Sequence, residues 1–256
     1  MNEGRLFEKL ISIVTRLRGL NGCPWDRKQT HASLLPYFLE ETYEVIETVD
    51  HEDWKTLSEE LGDILLHAVF QTNIAEENGE FTLEETLRGI NEKLVRRHSH
   101  VFGEKNAEGP LPAKMNWEAE KQKEKDRKSR LDGVPKTLPA LVRAQRLQEK
   151  ASYAGFDWEE IHQVWQKVHE ELEELKGAEK RGIKKHVEEE VGDLFFAIVN
   201  LCRFLNISAE DALRKANIKF TNRFQHVEKD LCNRGIPLEE ATLKEMDKIW
   251  NQTKKN

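Results

Sequence analysis

The feature that most restricts how this chain can fold is a pattern of carboxylates that runs twice. Leu39-Glu40-Glu41-Thr42-Tyr43-Glu44 returns as His169-Glu170-Glu171-Leu172-Glu173-Glu174, and Glu59-Glu60-Leu61-Gly62-Asp63 returns as Glu189-Glu190-Val191-Gly192-Asp193, each about 130 residues later. Downstream, Lys93-Leu94-Val95-Arg96-Arg97 is echoed by Lys219-Phe220-Thr221-Asn222-Arg223, and Met115-Asn116-Trp117 loosely answers the segment from Met246 to Trp250. A self-similar chain is built from copies of one unit, so two like domains are expected. Between the copies, a basic stretch from Lys121 closes with Asp132-Gly133-Val134-Pro135 and Pro139, residues that interrupt helices and favour turns. The expected organisation is a first domain over 1–120, a basic linker over 121–139 and a second domain over 140–256. A length of 256 residues suits two domains at about 150 residues each.

Helical phase places the motifs. At about 100° per residue, Phe38, Thr42, Val45 and Val49 form one stripe, with Glu41 and Glu44 on its flank. Leu57, Leu61, Ile64 and Ala68 form another, flanked by Glu60 and Asp63. The second copy repeats both: Ile161, Val168, Leu172 and Leu175 beside Glu171 and Glu174, then Val187, Val191, Leu194 and Ile198 beside Glu190 and Asp193. These stripes are expected to face a core. The fold class is therefore all-α, a tandem repeat of two small, four-helix-bundle-like domains.

Two neighbouring helices in each domain thus offer an acidic pair at i, i+3, and such residues are neighbours on a helix surface. Packed antiparallel, they bring four carboxylates together, which repel one another and lose solvation unless a cation neutralises them. All-oxygen donors are hard, so the expected metal is Mg²⁺, with Mn²⁺ as a substitute, and magnesium also engages phosphate oxygens. Lys219 and Arg223, an i, i+4 pair, are spaced to present two cations to a phosphate, and the Trp250 indole is suited to cover a base or sugar.

Composition narrows the partners. A net charge of -7 argues against stable nucleic-acid binding and makes the basic stretch at 121–139 a solvated linker. Cys23, Cys202 and Cys232 form no Cys-x-x-Cys pair and fit a reducing compartment, the cytoplasm. No segment reads as a signal peptide or a membrane span.

With Gly22-Cys23-Pro24-Trp25-Asp26, Arg96-Arg97-His98-Ser99-His100-Val101-Phe102 and Gly155-Phe156-Asp157-Trp158 added to the acidic motifs, the chain resembles the MazG nucleoside triphosphate pyrophosphohydrolases of the all-α NTP pyrophosphatase superfamily. The resemblance implies two MazG domains, a homodimer, and Mg²⁺-dependent cleavage of NTPs and dNTPs to nucleoside monophosphate and pyrophosphate. It further implies that the second copy is the active one. There Glu171, Glu174, Glu190 and Asp193 are the metal-binding, catalytic set, while Glu170, Glu189, Lys219, Arg223 and Trp250 border the substrate. The first copy keeps Glu41, Glu44, Glu60, Asp63, Lys93 and Arg97, so residue chemistry does not separate the two. His98-Ser99-His100 departs from the His-Pro-His that the resemblance leads one to expect. A carboxylate-bridged dimetal enzyme is the first alternative, but it requires two Glu-x-x-His motifs and only Glu159-x-x-His162 is present. The second is a non-catalytic helical scaffold, in which Lys219 and Arg223 have no need to converge with the acidic residues.

Overall fold

The computed structural model describes residues 2–103, 109–123 and 128–254, and among these every regular element is helical. Contacts divide the chain into two units between Lys121 and Gln122. The first unit contains α1 (Glu3–Arg18), α2 (Leu35–Asp50), α3 (Trp54–Glu77), α4 (Leu83–Arg97), the single turn α5 (Ser99–Phe102) and α6 (Pro110–Lys123). The second contains α7 (Ala140–Ser152), α8 (Ile161–Arg181), α9 (Lys184–Phe204), α10 (Ala209–Asn233) and α11 (Leu243–Gln252). Of the stretch read as a linker, 121–123 ends α6, 124–127 lies outside the described residues, and 128–139 is irregular.

The repeat holds element by element. In the first unit α2 packs on α3 and α1 covers α3; in the second α8 packs on α9 and α7 covers α9. The last helix of each unit is tied to the fourth by an arginine over a tryptophan: Arg97 lies 4.9 Å from the Trp117 ring centroid and Arg223 5.8 Å from that of Trp250. Five helices per copy thus correspond, one more than four-helix patterning predicts. α4 and α11 begin with the same device, a capping box of Thr82 with Glu85 and of Thr242 with Glu245, which satisfies amide donors that a helix start leaves free.

The cores are small. Val14, Leu34, Val69, Phe70 and Ile74 cluster in the first unit, and Val227, Leu231 and Ile249 join α10 to α11 in the second. The apolar stripes of the motif helices do not all face inward. Phe38, Val49, Leu61 and Ile198 are exposed, as are the neighbouring Leu39, Leu65 and Phe195. It is Glu41, Glu60 and Asp63 that are half-buried, and Glu171 that is buried. The physical reason is that each helix hairpin has two apolar margins around an acidic centre, and one unit covers only one of them.

Candidate functional site

The convergence of the carboxylates follows from the connection between the helices. Glu52 and Gly182 are equivalent residues in the two hairpins, and both adopt the left-handed conformation, with φ of 55° and 71°. Glu44 and Glu60 lie eight residues on either side of Glu52, and Glu41 and Asp63 eleven. About Gly182 the same counts give Glu174 with Glu190, and Glu171 with Asp193. Two helices leaving a tight turn run antiparallel, so residues equidistant from it stand level. The two α-helical i, i+3 pairs then face each other across the hairpin.

In the second unit, carboxylate oxygens of Glu171, Glu174 and Glu190 lie within 4.8 Å of one another; in the first, those of Glu41, Glu60 and Asp63 do. Burial and its neighbours Asp63, Glu44 and Glu60 push the Glu41 carboxyl up to about 7, and Glu60 is raised for the same reasons, burial first. Glu44 is near enough to help raise both of them, so all four carboxylates of the first copy act on one another. Glu174 is likewise raised, by burial and then by Glu171 and Glu190. Such a cluster resists ionisation, and a hard divalent cation relieves it; an all-oxygen donor set from two helices fits Mg²⁺ or Mn²⁺. Asp193 stands outside the trio, one turn beyond Glu190, and lines an adjoining cavity.

Two parts of this site escaped the sequence reading. Lys167 places its Nζ 2.7 Å from Glu170 and 2.8 Å from buried Glu171, and these hydrogen bonds, with Glu170 the larger influence, raise its pKa. Its i, i+3 and i, i+4 spacing to the two glutamates was the available signal. The equivalent residue in the first copy is Tyr37, which instead meets Trp25 edge-on. The second missed part is the cavity itself, about 610 Å³, walled by α7, α9 and the Gly155–Trp158 segment and reaching Lys167, Glu171 and Asp193. No periodicity announces it, because its walls come from segments far apart in sequence.

Of the remaining expected residues, Glu170 is half-exposed and held by Lys167, and Glu189 is exposed with Lys185 3.9 Å away. Lys219 and Arg223 do not meet the acidic trio within one chain. α10 leaves α9 at a bend of 103°; Glu190 lies fourteen residues before the end of α9 and Lys219 ten residues into α10, which sets their backbone positions on the two helix axes roughly 20 Å apart. Arg223 belongs instead to a second cluster, in which it and Phe220 both contact the Trp250 ring. The three cysteines are free thiols, and no single helix among the described residues is long and apolar enough to cross a membrane.

Comparison with known proteins agrees with this architecture. The model of the MazG nucleotide pyrophosphohydrolase domain matches residues 29–102 and again 159–228, the two hairpins with the helix that follows each. The chain is 48% identical over 253 residues to the nucleoside triphosphate pyrophosphohydrolase/pyrophosphatase MazG of Thermotoga maritima, covering 98% of this chain and 96% of that one. It is 42% identical over 254 residues to the nucleoside triphosphate pyrophosphohydrolase of Escherichia coli, covering 97% of each. A Bacillus subtilis protein, YabN, is 44% identical over 251 residues, which span 97% of this chain and 51% of that protein. With two domain matches, near full-length relatives and the carboxylate hairpin in both copies, the chain belongs to the MazG family of nucleotide pyrophosphohydrolase enzymes.

Proposed function

We propose that this protein hydrolyses nucleoside triphosphates, ribo and deoxy, to nucleoside monophosphate and pyrophosphate in the cytoplasm, at the second copy and with Mg²⁺. The observation that carries the reading is the trio Glu171, Glu174 and Glu190, drawn to within 4.8 Å by the α8–α9 hairpin beside a nucleotide-sized cavity. These three, with Asp193 beside them, are the residues that hold the metal. A magnesium ion bound there supplies neutralisation of phosphate charge and acidification of water for attack at the α-phosphorus. Mn²⁺ substitutes for it.

The chain's own groups do the rest. Lys167 fixes Glu171 in its buried position and keeps a positive charge next to the reacting phosphate, while Glu170 borders the polyphosphate. The hairpin excludes bulk water from the side of Glu171, which strengthens every charge interaction there. Lys219 and Arg223, too far away within one chain, reach the site from a second copy: the protein works as a homodimer in which Lys219 and Arg223 of the partner subunit stabilise charge on the departing pyrophosphate. Exposed Phe195 and Ile198 along α9 support this association, since a monomer rarely leaves so much apolar surface open.

Incubating the protein with each common NTP and dNTP plus Mg²⁺ tests the reading. Nucleoside monophosphate and pyrophosphate are the expected first products; nucleoside diphosphate with orthophosphate would refute it.

A further inference from the structure

Three residues that line the cavity beside the second copy's carboxylates are replaced by larger ones in the first copy, and they can be named. Gly22–Trp25 corresponds to Gly155–Trp158, which sets Arg18 of α1 against Ala151 of α7; the hairpin correspondence sets His67 and Phe70 of α3 against Ala197 and Asn200 of α9. Ala151, Ala197 and Asn200 all line the cavity. Their large counterparts occupy the matching space in the first unit. The Arg18 side chain is only 6% exposed, its guanidinium stacks 5.3 Å from the Phe70 centroid, and it donates hydrogen bonds to Glu77 and to the carbonyl of Asp26. His67 is buried against Phe38.

In the second unit the space is kept open and given polar anchors. Gln148, 8% exposed, donates its amide N–H to the Phe196 carbonyl at 2.8 Å; because that carbonyl can only accept, the carboxamide orientation is fixed and Oε1 is left as a buried acceptor with no partner. The Asn200 Oδ1 accepts two N–H groups from Arg203, at 3.0 and 2.9 Å, which turns its own NH₂ into the remaining donor. Arg203 is in turn locked by a bidentate pair with Asp157. Leu147, Phe196 and Trp158 supply the apolar walls. An apolar slot holding one carboxamide acceptor and one carboxamide donor suits a flat heteroaromatic ring with N–H and N or O groups along one edge.

We propose that this cavity is the nucleobase subsite of the second copy, anchored by Gln148 and Asn200, and that Arg18, His67 and Phe70 close the matching space and deny the first copy a nucleoside. The inference rests on the nucleotide reading above and adds to it where the base lies and why the two copies differ. A nucleoside seated here directs its 5′ side toward Lys167, Glu171 and Asp193, the cavity's other end.

The test compares ATP with ribose 5′-triphosphate, which lacks the base, in the full-length protein and in its Ala197→Phe and Gln148→Leu variants. Wild type is expected to favour ATP in kcat/KM, and each variant to lose about tenfold of that preference, through KM. Adenosine added in EDTA is expected to quench tryptophan fluorescence of the wild type and not of Trp158→Phe, a readout independent of turnover and of the folding of the cavity variants. Equal kcat/KM of wild type for ATP and the base-free triphosphate, or an unchanged preference in folded variants, would overturn the subsite. So would adenosine quenching that survives Trp158→Phe. A wild type that releases no nucleoside monophosphate from any NTP would instead overturn the proposed function itself.

Discussion

Glu52 and Gly182 hold the same left-handed backbone at the tip of equivalent hairpins, yet only one of them is the residue that adopts it without steric conflict. Glu52→Gly is therefore expected to stabilise the first unit by roughly 1 kcal/mol, read as an upward shift in thermal midpoint. A midpoint that falls would show that the Glu52 side chain contributes more than its strain costs. The carboxylates below that tip make a second case. Glu41 ionises near 4.5 in the unfolded chain but near 7 in the folded one, so between those values the folded state holds a proton that the unfolded state has released. Glu41's contribution to stability in EDTA is thus full below 4.5 and is lost as pH rises through 7. Glu41→Gln should flatten that decline, and Mg²⁺ should reverse it at pH above 7 in the wild type; melting curves across the range check both. For turnover the order is reversed: Glu171→Gln or Glu174→Gln should nearly abolish activity, while Glu41→Gln or Glu44→Gln should be mild. Silencing by Glu41→Gln alone would assign the chemistry to the first copy.

Single helices show which parts of the fold the sequence makes legible. The acidic positions could be read because they depend only on helical phase and on distance from a turn, and the duplication gives each of them a second witness. The Arg97–Trp117 and Arg223–Trp250 pairs bear out the loose match between the two Met-to-Trp segments for the same reason. The direction of the apolar stripes could not be read. A helical wheel marks Leu61 and Phe38 as buried without saying in what, and in a single chain both are exposed. Lys219 and Arg223 illustrate the other limit: their spacing is local, but their distance from Glu190 is set by the 103° elbow between α9 and α10, which no periodicity encodes. The capping boxes at α4 and α11 offer an element-level test. Hydrogen bonds from Thr82 and Thr242 hold Glu85 and Glu245 below the usual carboxylate range, so their contribution is present at neutral pH and lost as pH falls through those lowered values. Thr242→Ala should cost about 1 kcal/mol at neutral pH, and less in acid; an equal loss at both would exclude the box as the cause.

For the whole molecule, the proposed pairing with a second copy would account both for the exposed apolar margins of the hairpins and for the distance of Lys219 and Arg223 from the acidic trio. Light scattering at micromolar concentration should return twice the mass of one 29.9 kDa chain. Phe195→Glu, on the exposed side of α9, should lower that mass and activity together, since Lys219 and Arg223 would leave the site. A fully active monomer would contradict the arrangement. Within the second unit, the short connection at Gly182 and Ile183 carries a further consequence. It works as a ruler. Inserting one residue into α9 just after it would rotate Glu190 and Asp193 by about 100° and slide them about 1.5 Å along the axis, taking them off the face that Glu171 and Glu174 share. A surface loop, ordinarily the place most tolerant of added length, is here where the spacing of the chemistry is measured out.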